Sequence, residues 1–278
     1  MLDELSHFLL IVEHRTFTRA ARHAHLSQPA LSASIQRLED AMKARLLHRG
    51  RDGATATAAG EALIPRARAA LAAVADGQRA VAEVMGLHAG EVRLGAGATA
   101  CTYLLPATLV RFRAEHPNVR FLLRESTTQE VLVALNEGSL DLGVVTHPEG
   151  ELWMEDELIL VAAPHSNAKE APFITFGPGA TTRQLFDRHF PGARIIMELG
   201  SIAAVKGNAR AGIGMALVSR YAVVTDLKLG LLVEVPHRAT PVKRQLHLVH
   251  RGVDRLPPAA ARLRELLLES RVKKPRTR

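Results

Sequence analysis

The sequence predicts an α/β protein with an all-α-plus-wing N-terminal part. A helix-turn-helix with a β-wing leads, one long helix follows, and a two-lobed sheet domain fills the rest. Three observations carry this. Residues 17–39 (FTRAARHAHLSQPALSASIQRLE) fit a helix, a tight break and a second helix into a short span. Residues 59–85 are rich in alanine and carry a heptad seam. From residue 91 onward, short apolar strands alternate with helices, the pattern of a parallel sheet covered by helices.

The elements follow in order. Leu5, Phe8, Leu9 and Val12 give residues 2–13 one apolar face, and residues 17–25 form a second helix. Ser27 is a natural N-cap and Pro29 sits just inside the next helix, residues 28–40. Leu31, Ile35 and Leu38 bury one side of it, leaving Gln28, Ser32, Gln36 and Arg37 on the other. Residues 46–57 place Arg49, Gly50, Arg51 and Gly53 in a strand–turn–strand wing. In residues 59–85, Leu63, Ala67, Ala70, Val74, Gly77, Val81 and Val84 recur in alternating steps of four and three. Such a stripe calls for a partner helix; the alternative is packing on its own domain.

Strands are expected at 92–95, 120–125, 140–145, 158–163, 172–176, 193–197, 215–219 and 245–250. Helices are expected at 103–115, 129–137, 181–190, 202–211 and 258–269. This gives two α/β lobes, with the last helix returning to the first. The chain crosses between lobes near 148–160 and 240–252, the expected hinges.

The run SQPALS followed by IQRLE, with FTRAA upstream and LLHRGRDGATATAAGEAL downstream, resembles the LysR-type transcriptional regulators. VRLGAG, LPATLVRFRAEHPNV, LNEGSLDLGVV and VKGNARAGIGMALVS extend the likeness to about residue 270. The resemblance implies a winged helix-turn-helix (1–58), a linker and dimerisation helix (59–87), and a periplasmic-binding-protein-like effector domain (88–270). It places lobe I at about 91–147 and 251–270 and lobe II at about 148–250; the run of basic residues at 271–278 reads as a disordered tail. The resemblance also implies a homodimer through the linker helix, a homotetramer by pairing of effector domains, and RNA polymerase as a further contact. Two departures stand out: Ala33 and Ser34 replace the usual long polar pair, and Leu47 stands where Phe is common.

On double-stranded DNA, Gln28, Pro29, Ser32 and Gln36 are expected to face bases, because short polar groups read base edges. Arg37, Arg19 and Arg22 are expected near phosphates, and Arg49 takes that role by resemblance. With few long basic donors, wing contacts and DNA shape carry more of the specificity.

In the sheet domain, Thr99–Thr102 and Gly200–Ile202 are helix starts that follow strands on opposite lobes. Ligands of α/β sheets lie outside the carboxyl ends of strands, and helix N-termini bind anions. Thr99, Cys101, Thr102, Thr128, Thr146, His147 and Ser201 are therefore the expected lining of an effector cleft. Alternatively, these hydroxyls only cap their own helices. The effector is expected to be a small anion, a carboxylate or an inorganic oxyanion. Cys101, the sole cysteine, reads as an ordinary cleft or cap residue, with a redox or metal sensor as the alternative.

The 278-residue chain has a net charge of +8, and its tail Arg271–Arg278 holds five Lys or Arg. That tail reads as solvated, with added phosphate affinity as the other option. No apolar run approaches the roughly 20 residues of a membrane span, and no signal peptide is visible. A cytoplasmic protein is expected. No metal or cofactor motif is present: GxGxxG is incomplete at Gly95 and Gly212, and the paired histidines His23/His25 and His247/His250 read as surface residues. An enzyme would need a nucleophile, base or acid cluster, and none is visible. The leading reading is a transcriptional regulator under effector control. Its alternative is an architectural DNA-binding protein without an effector.

Overall fold

The computed structural model describes residues 1–50, 53–84, 90–147, 149–167 and 171–270. Arg51 of the wing, the 86–89 break and the basic tail fall outside them. The chain divides into two compact units.

The N-terminal unit holds α1 (Leu2–His14), α2 (Phe17–His23), α3 (Gln28–Met42), β1 (Leu47–Gly50), β2 (Gly53–Ala56) and α4 (Ala58–Val84). Thr16 caps α2 by accepting the Arg19 N–H, and Ser27 caps α3 by accepting that of Ala30. Phe8, Ile11, Leu31, Ile35 and Leu38 form a closed core with Leu46 and Ala67. The wing is tied down through Glu39 of α3, a buried carboxylate. Its Oε1 accepts the Leu46 N–H at 2.7 Å and the Leu47 N–H at 3.3 Å. Gly53 opens β2 at φ +124°, and a Cβ there would stand 2.3 Å from the Arg15 carbonyl oxygen, so only glycine fits.

The seam of α4 divides. Leu63, Ala67 and Ala70 pack on the N-terminal core. Val74 is 40% and Val81 64% exposed. The side chain of Val84 lies outside the described residues.

The second unit is built on one nine-stranded sheet. Its strands are β3 (Glu91–Ala96), β4 (Arg120–Glu125), β5 (Leu142–Val145), β6 (Glu151–Ala162), β7 (Phe173–Phe176), β8 (Ile195–Leu199), β9 (Met215–Ser219), β10 (Val233–Glu234) and β11 (Val242–Val249). The order is β4-β3-β5-β11-β6-β9-β7-β8, with β10 on β6. Two parallel triplets, β4-β3-β5 and β9-β7-β8, are joined by the antiparallel pair β6/β11. The helices are α5 (Leu105–Glu115), α6 (Thr128–Asn136), α7 (Thr181–His189), α8 (Ile202–Arg210), α9 (Arg220–Lys228) and α10 (Pro258–Glu269), with a π-helical turn, Ala100–Leu104, leading into α5. In α10, Leu263, Leu266 and Leu267 return to the first-lobe core beside Val92, Leu94 and Trp153.

The two crossings are strands, not loops. β6 extends from residue 151, where a strand was expected only from 158. β11 begins at 242 rather than 245. Trp153 and Met154 of β6 and Leu246 and Leu248 of β11 belong to the first-lobe core. Leu158, Leu160 and Val242 belong to a second-lobe cluster. The strands change lobes at Asp156 and Arg244, which stand opposite each other in register. Helix α9 was not anticipated, because RYAVVTDLK lacks strong periodicity. No helix among the described residues is long and apolar enough to cross a membrane.

Candidate functional site

The N-terminal unit presents α3 with one face open. Gln28, Pro29, Gln36 and Arg37 are exposed, as are Arg19 and Arg22 on α2. Ser34, on the inner side, is buried and hydrogen-bonds His7 at 2.7 Å. Gln36 donates from Nε2 to Asp40 at 2.8 Å, and Arg37 donates to Glu4 at 3.2 Å. Arg49 donates from Nη1 to Ser32 Oγ at 2.9 Å while its guanidinium lies 4.5 Å from the Phe17 ring centroid. Ser32 is thus half-buried and braces wing to helix rather than standing free beside Gln28.

The second unit has a cavity of about 300 Å³ between its lobes. Four helix starts converge on it: Thr99–Ala100 ahead of α5, Thr127–Thr128 of α6, Ala180–Thr182 of α7 and Gly200–Ile202 around the start of α8. Strands β3, β4, β7 and β8 each run into the helix that follows, so their carboxyl ends and the helix N-termini share one side. Each N-terminus adds a partial positive charge of roughly half a unit. Thr99, Thr128 and Thr146 line the cavity, and Ser126, Thr127, Thr181 and Thr182 add hydroxyls that were not among the expected lining. Thr128 and Thr181 approach across the cleft to 3.4 Å.

Four expected cleft residues are not among the lining. Cys101 turns its thiol back, donating to the Ala96 carbonyl at 3.4 Å, because the π turn directs that side chain toward the first-lobe core. Thr102 is exposed on the same turn. His147 accepts the Glu149 N–H at 3.1 Å, which holds its imidazole in its own loop. Ser201 caps α8 by accepting the Ala204 N–H at 3.2 Å, so the capping alternative holds for this hydroxyl. Of the paired histidines, His247 is buried and His250 contacts Glu151, so neither is a plain surface residue.

Burial, reinforced by the nearby Glu125 carboxylate, pushes the Cys101 thiol up to about 11. Labelling of native protein by iodoacetamide at pH 8 is therefore expected to run at least about tenfold slower than for an exposed thiol, and to accelerate toward pH 11. Labelling at the exposed-thiol rate would contradict this placement.

The residue that sequence reasoning missed altogether is Arg244. It is 8% exposed and lines the cavity. Its Nε donates to Asp156 Oδ2 at 2.8 Å, and Nη2 lies 2.7 Å from the same oxygen. Nη2 also donates to Thr99 of lobe I at 3.1 Å, and Nη1 to Thr182 of lobe II at 3.2 Å. Asp156 additionally accepts the Ser219 hydroxyl at 2.8 Å. One guanidinium thus touches both lobes at the point where the crossing strands change lobe, with one Nη1 hydrogen left over by these contacts.

A family model described as "Bacterial regulatory helix-turn-helix protein, lysR family" matches residues 2–61, and one described as "LysR substrate binding domain" matches residues 85–271. The chain is 30% identical over 290 residues to the HTH-type transcriptional regulator CfxR of Cupriavidus necator, covering 96% of this chain and 91% of that protein. Among solved structures it resembles full-length LysG from Corynebacterium glutamicum with bound effector Arg (TM-score 0.70, 19% identity, 98% of each chain). It also resembles full-length CbnR complexed with its target DNA (TM-score 0.68, 22% identity, 97% of this chain and 99% of that one). These two likenesses are of fold. With both family models and the CfxR match spanning nearly all of its length, the chain belongs to the LysR-type transcriptional regulators, DNA-binding proteins controlled through an effector-binding domain.

Proposed function

We propose that this regulator reads an operator with α3 and is switched by a small anion held between the lobes of its second unit. One observation carries the effector half: four helix N-termini, a set of threonine hydroxyls and a buried arginine meet in one cavity. Fixed N–H dipoles and hydroxyls favour a small oxyanion or carboxylate. Binding to both lobes at once favours a closed arrangement, by no more than the difference in affinity between the closed and open forms. Isothermal titration of small anions into wild type and Thr99→Val tests this. Binding weakened by the substitution is expected; a ligand that alters operator binding yet ignores Thr99→Val places the effector elsewhere.

In the DNA half, Gln28 and Pro29, with Ser32 and Gln36 behind them, approach base edges, while Arg19, Arg22, Arg37 and Arg49 approach phosphates. Gln28→Ala is expected to remove about 1–3 kcal/mol of discrimination between the operator and a point-mutated operator. Arg49→Ala is expected to weaken all sequences together and lower the salt slope by about 1. Identical behaviour of the two variants in anisotropy titrations would refute this sorting of contacts.

The working form in this reading is a cytoplasmic homodimer through α4, assembling to a homotetramer through effector domains, with RNA polymerase as a further partner and no catalytic activity. The exposed Val74 and Val81 support the first contact. The two edges of the sheet support the second: β4 leaves Leu122 and Leu123 exposed, and β8 leaves Ile196 exposed.

A further inference from the structure

The charges around the cavity narrow its ligand class, if the anion reading above is right. Arg244 is the only cation among the described residues that line the cavity, and Asp156 already neutralises it from behind. Two carboxylates also line the cavity. Glu130 is engaged in the start of its own helix, where it accepts the N–H and the hydroxyl of Thr127. Glu125 is different. It ends β4 opposite Ala96 of β3, two strand ends from which the chain turns into the cavity wall. No described residue pairs with its side chain. A free carboxylate beside an anion site repels a second negative charge and attracts a donor.

We propose that the cleft takes a small monocarboxylate, with a single negative group, bearing a hydrogen-bond donor at its other end, an ammonium or a hydroxyl. The carboxylate meets the helix starts and Arg244, and the donor meets Glu125. Dicarboxylates and multiply charged oxyanions are disfavoured, because their second charge meets no unpaired cation among the described lining residues and must face Glu125. The neutral part of the ligand lies against Val144, Phe176 and Leu246.

The test is isothermal titration of full-length protein with glycine, glycolate, acetate, malonate and phosphate. The first three differ only in the donor, and glycine against glycolate separates ammonium from hydroxyl. At least tenfold tighter binding of glycine or glycolate than of acetate, malonate and phosphate is expected. Glu125 is exposed, so Glu125→Gln is expected to fold normally. In that variant the advantage over acetate is expected to shrink severalfold, and malonate to gain about tenfold. Malonate or phosphate binding wild type most tightly, or a ranking unchanged by Glu125→Gln, overturns the inference. If that tightest binding also weakens in Thr99→Val, the anion site itself stands. If none of the five binds at millimolar concentrations, both the inference and the anion reading fall.

Discussion

Replacing Arg244 by leucine is expected to destabilise the effector domain by about 3–5 kcal/mol, because it strands the buried Asp156 carboxylate without its cation. Among the described residues, Asp156 would keep only the Ser219 hydroxyl, and Thr99 and Thr182 would lose the donor that links the lobes. Arg244→Lys is expected to cost less but not to restore wild type, since an ammonium cannot span Asp156, Thr99 and Thr182 in one plane. The double replacement Asp156→Leu with Arg244→Met is expected to recover most of the stability, since a well-packed apolar pair can replace a buried ion pair. It should not recover anion binding. Urea unfolding followed by the sole tryptophan, Trp153, which is buried on β6, reads all four proteins. A single Arg244→Leu within about 1 kcal/mol of wild type would show that the pair does not organise the crossover.

The second large effect concerns DNA. Lysine at Val74 and Val81 is expected to leave each chain folded, since both side chains are exposed in the isolated chain. Dimerisation through α4 is expected to fail. Two linked recognition helices gain about 10²–10⁴ in avidity over one, so operator affinity should drop by a factor of that order. Sedimentation velocity would show a monomer. An unchanged mass with unchanged operator affinity would locate the dimer contact elsewhere, and would leave the exposed half of the seam without a role.

Much of this was legible in the sequence. Ser27, Pro29 and the spacing of Leu31, Ile35 and Leu38 define α3, and local capping chemistry fixes such an element without tertiary help. The alternation of strands and helices gives both lobes, because parallel strands require helical crossovers. The site was legible only in part. Strand ends and helix starts pointed to Thr99, Thr128 and Thr146. Side-chain direction on a π turn could not be read from the sequence, and Cys101 and Thr102 point elsewhere for that reason. Ser201 shows the other ambiguity, since an N-cap hydroxyl and a ligand hydroxyl look alike until its acceptor is known.

Arg244 and Asp156 are the instructive omission. In β11, Val242, Arg244, Leu246 and Leu248 share one face by period-two alternation; in β6, Met154, Asp156, Leu158 and Leu160 do the same. One acid and one base each occupy a core slot on a strand, and buried charges are seldom unpaired. The signal is present, but Asp156 and Arg244 fall just outside the apolar runs that predict strands at 158–163 and 245–250. The α4 seam is continuous in its heptad spacing, and its first part, Leu63, Ala67 and Ala70, packs within the N-terminal core.

In the proposed function a cleft ligand controls DNA reading. The most direct test selects an operator from random duplexes, then measures operator affinity and footprint with and without the tightest-binding small anion, in wild type and in Thr99→Val. The expected result is a ligand-dependent shift in wild type that is lost or moved to much higher ligand concentration in the variant. A wild-type footprint indifferent to every cleft ligand, or the same shift at the same concentration in both proteins, would contradict it.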